Sequence, residues 1–149
     1  MAIEVVNRQR LARIDSRRVA SLADATLGAV GRAKANLTVA FVRDRAIRDL
    51  NRQFRGTDRA TDVLSFPAED ERTGAGGAFS GVHPEFLGDI VVSTDAAVRQ
   101  AKAAICSLAR EVDELVIHGV LHLCGYDHET DRGEMNRLEL KLRRKLLGD

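Results

Sequence analysis

His118-Gly119-Val120-Leu121-His122-Leu123-Cys124-Gly125-Tyr126-Asp127-His128 carries three of the chain's four histidines, at positions i, i+4 and i+10. Residues four apart lie one above the other on a helix face, so His118 and His122 can reach one ion. Gly125 supplies a left-handed stop that turns the backbone and brings back His128. Three neutral imidazoles leave a fourth tetrahedral position for water, the arrangement of a catalytic zinc site rather than a closed structural one. The surrounding residues Leu115, Val116, Ile117, Val120, Leu121 and Leu123 are apolar. Histidines facing inward from such a run each need a partner, because a buried unpaired polar group costs roughly 1 to 3 kcal/mol. A shared metal satisfies them together. The stretch therefore predicts a metal site on a helix-turn, with one Zn2+ per chain, and points to hydrolysis.

Working outward, residues 3 to 8 alternate as a strand, and Asp15-Ser16 caps a helix with Val19, Leu22, Ala23, Thr26, Leu27 and Val30 at spacings of 3 and 4. Leu37 to Val42 reads as a second strand. Asp44 is expected to cap a helix to about Phe54, with Ile47, Leu50 and Phe54 on one side and Gly56 at its end. Asp62 to Phe66 is a short strand closed by Pro67, and Ala68 to His83 reads as a glycine-rich mobile loop. Leu87 to Ser93 is a fourth strand, and Thr94 caps a helix toward Ile105. The histidine helix spans about Ser107 to Cys124. A last helix, roughly Asp131 to Leu147, carries Met135, Leu138, Leu142 and Leu146 on one side and Arg143, Arg144 and Lys145 near its negative C-terminal end. The order β-α-β-α-β-β-α-α-α predicts an α+β fold: a mixed, roughly four-stranded sheet covered by about five helices.

A chain of 149 residues is expected to form one domain, 1–149, and can bury about 68 to 70% of its unfolded surface without staples. A hydrophobic share of 44% and a charged share of 30% are ordinary for a globular protein, and no apolar run approaches the roughly 20 residues of a membrane span. The N-terminus has no basic leader with an apolar core, so a cytoplasmic location without membrane contact is expected. Cys106 and Cys124 make no disulfide framework. Cys124 lies two residues after His122, where helical side chains do not face each other, and is left out of the site.

The net charge is only +1, but its distribution is uneven. Arg43, Arg45, Arg48, Arg52, Arg55 and Arg59 crowd one segment against Asp44, Asp49 and Asp58, and Arg8, Arg10, Arg13, Arg17 and Arg18 form a second basic run. Arginine makes up 19 of the 23 basic residues, so a solvated face and a phosphate track are equal readings of charge alone.

In the familiar protease version of this histidine spacing, a glutamate follows the first histidine and acts as general base. That position is Gly119, so peptide hydrolysis by the usual route loses its proton acceptor while the metal reading stands. A water on zinc has its pKa lowered to about 7, which makes hydroxide available at neutral pH.

With these residues in place, the chain resembles the YbeY-type bacterial endoribonucleases that mature ribosomal RNA. The signature His118-Gly119-x-Leu121-His122-x-x-Gly125-Tyr126-Asp127-His128 carries the resemblance. So do the segment from Leu50 through Asn51-Arg52-Gln53-Phe54-Arg55-Gly56 to Pro67 and the strand Gly88-Asp89-Ile90-Val91-Val92-Ser93. The resemblance implies zinc on His118, His122 and His128 and an essential Arg55. It also implies unpaired RNA as substrate, with work on small-subunit ribosomal RNA, at its 3′ end, and in ribosome quality control. Ribosomal small subunits and their proteins would be partners; DNA would not. Arg55 offers five donors suited to phosphate, or else merely neutralises a helix end. Asp127 could orient an imidazole, accept a proton as a catalytic residue, or hold the Gly125 turn. Glu114, one turn before His118, stands behind the metal ligands or in a surface ion pair, and His83 is expected to face solvent. Two rivals remain: a zinc hydrolase of another class, such as a metalloprotease, and a ribosome-assembly factor without catalysis.

Overall fold

The computed structural model describes residues 3–68, 85–127 and 129–148. Strand β1 (Ile3–Asn7) leads into helix α1 (Ser16–Ala29), where Asp15 accepts a hydrogen bond from the Arg18 N–H at 3.1 Å. Strand β2 (Asn36–Val42) follows, then helix α2 (Asp44–Arg55) and strands β3 (Val63–Pro67) and β4 (Phe86–Ser93). Helices α3 (Thr94–Ala104), α4 (Leu108–Leu123) and α5 (Glu134–Leu147) complete the chain. The sheet runs β1-β2-β4-β3, with the first three of these parallel and β3 antiparallel on the edge beside β4. This is the expected α+β domain with a mixed four-stranded sheet and five helices.

Alternation along the strands divides the core into two layers. Leu37, Val39 and Phe41 of β2 and Ile90 and Val92 of β4 face a large cluster with Leu27, Val116, Val120, Leu121 and Met135, so α1, α4 and α5 share one side. Val42, Val91 and Leu64 face the opposite side, where Ile47 of α2 covers them. Helix α4 is the central one, with nine of its 16 residues buried. It descends onto β4 at Gly119, where an added Cβ would lie 2.7 Å from Cγ2 of Ile90.

The helix starts differ from expectation in an instructive way. Asp44 does not cap α2: the cap position is Arg43, whose side chain makes no capping bond, and Asp44 is the first helical residue. The missing acceptor comes from another element, since Asp95 Oδ2 takes the Asp44 N–H at 2.8 Å and Arg43 Nε at 2.9 Å. Ser93 rather than Thr94 caps α3, accepting from Ala96 N while its hydroxyl donates to Asp44 Oδ1 at 2.7 Å. The start of α3 thus supplies the acceptor for α2, and Asp44 in turn holds the hydroxyl that caps α3. Helix α5 begins three residues late, at Glu134, because Asp131 accepts from Gly133 N and Met135 N and holds the preceding turn. The expected loop from Ala68 to His83 lies outside the described residues apart from Ala68 itself.

Candidate metal and RNA site

Helix α4 carries His118 and His122 side by side on one face, with His118 turned toward α5. Their Nε2 atoms converge to 3.1 Å, with the rings at 71° and centroids 4.7 Å apart. Two nitrogens bound to one tetrahedral zinc at about 2.0–2.1 Å would sit about 3.3 Å apart, so the observed approach fits a shared ion. His118 Nδ1 meets Glu139 Oε1 of α5 at 2.8 Å. With the Nδ1–H donating to that carboxylate, Nε2 is left as a lone pair aimed at His122, the tautomer a metal ligand requires. Among the described residues no group of three metal-binding side chains comes together. The third ligand implied by the sequence, His128, lies outside them, as does His83. The left-handed conformation expected at Gly125 is present: Gly125 has φ +98° and donates to His122 O, while the Tyr126 N–H reaches Leu121 O.

Glu139 was invisible to the motif reading. It is buried, and its other oxygen accepts from Arg143 Nη2 at 2.5 Å. Arg143 also faces Glu114, which pairs with Arg110 Nε at 2.7 Å, so Glu114 belongs to a half-buried ion network between α4 and α5. Arg143 turns inward here instead of serving the helix end. Burial raises the cost of charge on Glu139, but the His118 hydrogen bond and Arg143 outweigh it, holding the carboxyl below its usual range. The one signal in the sequence is an acid within an apolar stripe: Met135, Glu139 and Leu142 are the buried residues of α5.

Arg55 closes α2, where Gly56 at φ +69° ends the helix as expected. Its Nη2 donates to Ser65 O of edge strand β3 at 2.9 Å, and its guanidinium carbon lies 5.9 Å from the Phe66 ring centre. The Ser65 hydroxyl, on the other face of the strand, donates to Gly119 O at 3.3 Å. Arg55 is therefore linked through one residue to the turn of α4 that bears His118. The loop behind it is latched by Asn51, whose Nδ2 donates to Arg59 O at 2.8 Å. The arginine-rich segment is partly neutralised, with Arg43 on Asp95, Arg48 on Asp58 and Arg52 on Asp49.

Asp127 is exposed, and its Oδ1 accepts the Glu129 N–H at 3.0 Å while its carbonyl takes the N–H groups of Thr130 and Asp131. It holds the turn following the histidine helix. Both cysteines are free; Cys124 packs against the core, and burial pushes its thiol above the ordinary value. No helix among the described residues is long and apolar enough to cross a membrane.

A family model described as endoribonuclease YbeY matches residues 4–147. The chain belongs to this family. An endoribonuclease YbeY of an Anaeromyxobacter species is 42% identical over 97% of this chain and 71% of its own length. That of Geobacter sulfurreducens is 37% identical over 96% and 92%. Among solved structures, a solution structure of a Thermotoga maritima protein superposes with a TM-score of 0.60 and 28% identity, covering 98% of this chain and 89% of that one. Within this family frame Gly119 has a packing reason. The position where a metalloprotease would carry its base presses on Ile90 in the core, with no room for a carboxylate.

Proposed function

We propose that this chain is a zinc-dependent endoribonuclease that cuts unpaired RNA in ribosomal RNA processing, at the small-subunit 3′ end, and that it serves ribosome quality control. The observation that carries the reading is the convergence of the His118 and His122 Nε2 atoms at 3.1 Å, backed by Glu139. The family's name, endoribonuclease, supplies the substrate class. His118, His122 and His128 would hold the ion, and what a bound zinc would supply is Lewis acidity and a nucleophile at neutral pH.

The chain's own residues set the rest. Glu139 fixes the His118 ring and its tautomer, and Arg143 fixes Glu139. Arg55 presents its remaining N–H donors beside β3, where they suit two oxygens of a phosphate as charge accumulates during scission. Asp127 holds the turn, and its exposed carboxylate is the proposed proton acceptor there. Unpaired RNA fits an open edge of this kind, whereas the deep, narrow groove of an A-form duplex keeps its base edges from side chains.

The test offers the purified protein matched single-stranded RNA, double-stranded RNA and casein, each with and without chelator. Chelator-sensitive cleavage of the single-stranded RNA alone is expected, with binding that weakens as salt rises. Chelator-sensitive loss of casein with intact RNA would establish the metalloprotease instead. RNA binding without turnover would establish an assembly factor.

A further inference from the structure

Helix α2 is a polar helix whose buried residues are Ile47 and Asn51, yet beside its last residue stands an aromatic that the described residues leave largely uncovered: Phe54 is 61% exposed. A single exposed apolar side chain is ordinary and carries no argument by itself. What sets Phe54 apart is its company. Its ring makes an edge-to-face contact with Phe66 at 5.6 Å and 68°, which fixes its orientation from behind. The same Phe66 ring carries the Arg55 guanidinium within cation–π range. Arg55 is in turn fastened to Ser65 O, on the strand whose Ser65 hydroxyl touches α4 at Gly119. A cation and an exposed, pinned ring therefore stand side by side at the edge of the sheet, linked through Ser65 to the turn that bears His118.

We propose that Phe54, backed by Phe66, is a nucleobase subsite: one unpaired base stacks on the Phe54 ring while the neighbouring phosphate lies against Arg55. The inference rests on the RNA reading above and adds to it the contact that selects unpaired strands. An aromatic face accepts any base, so the subsite confers strandedness rather than sequence. A paired base has no free face to offer, which couples this ring to rejection of duplex.

The chain contains no tryptophan, so Phe54→Trp introduces a single indole at the subsite. With zinc-loaded full-length protein, a short unpaired RNA should quench that fluorescence saturably, and an abasic ribose-phosphate strand of equal length and charge should not. Phe54→Leu keeps apolar bulk without a π face. Its affinity for the unpaired RNA should fall about fivefold or more, the low end of what one stacked base is worth, and its affinity for the abasic strand should not change. If wild-type protein binds neither strand, the RNA reading falls and the subsite with it. If wild-type protein prefers the base-bearing strand but Phe54→Leu keeps full affinity, or both strands quench the indole equally, the RNA reading survives and the subsite is overturned. Melting of both variants near the wild-type temperature shows that the fold is retained. If one variant fails to fold, the other decides alone.

Discussion

The two histidines and the arginine that the proposed reaction needs are held in opposite ways. His118 stands against a buried carboxylate which is itself gripped by Arg143, so its ring is fixed through two charge-assisted contacts between α4 and α5. Arg55 lies at an exposed sheet edge, held among the described residues by one hydrogen bond to a carbonyl and one aromatic neighbour. The difference follows what each group must meet. A metal ligand works only in one tautomer and direction, and a low-dielectric network strengthens every contact that enforces them. A phosphate on a flexible strand arrives in many poses, and a long, solvated guanidinium can follow it at little cost.

If the contrast is real, the two sites fail differently. The largest effect is expected at the buried site. His118→Ala or His122→Ala should bring bound zinc below half an equivalent by metal analysis and cleavage to the detection limit. A full equivalent in both variants would break the comparison. Arg55→Lys comes next: it keeps the charge but not the fork, so turnover should fall about 100- to 1000-fold, as for loss of one preorganised donor, with zinc content and melting temperature unchanged. Wild-type turnover would leave Arg55 as the neutraliser of a helix end. Glu139→Gln keeps an oxygen for the His118 N–H but removes the charge. Zinc affinity, measured by competition with a chromogenic chelator, should drop about 10- to 100-fold. An unchanged affinity would make Glu139 a packing residue only.

The same contrast explains what the sequence discloses. The element order, the Gly56 and Gly125 stops and the convergence of His118 with His122 follow from periodicity and local geometry, which act over a few residues. Glu139 and Ser65 escape because they meet their partners 21 and 54 residues away in sequence. Nothing local marks them except an acid inside an apolar stripe. The same holds for Asp95, a carboxylate from a different helix that takes the Asp44 N–H, so that Asp44 is the first helical residue instead of the expected cap. Phe54, expected on the apolar side of α2, is exposed, and among the described residues its aromatic contact is with Phe66 of the edge strand.

The smallest expected effect compares acids of the two regions. The Arg43 hydrogen bond, with help from the Asp44 N–H, holds the Asp95 carboxyl below its ordinary value against a modest burial cost. Its folded pKa is thus depressed, so its contribution to stability is present above the unfolded value of about 3.9 and lost as pH falls through the folded one. Asp113 on α4 is the reverse. Burial pushes its carboxyl up despite the charge and hydrogen bond of Arg18. A raised acid is penalised once pH exceeds the unfolded value, and acidification relieves it. Asp95→Asn, which retains an acceptor for the Asp44 N–H, should therefore melt slightly below wild type at neutral pH, with the gap closing below about pH 4. For Asp113→Asn the part of the gap due to ionisation should move with the opposite sign over the same acid range. Melting curves at several pH values read both. Parallel shifts in the two variants would mean that the buried and edge carboxylates share one electrostatic environment, and the contrast between the regions would fail.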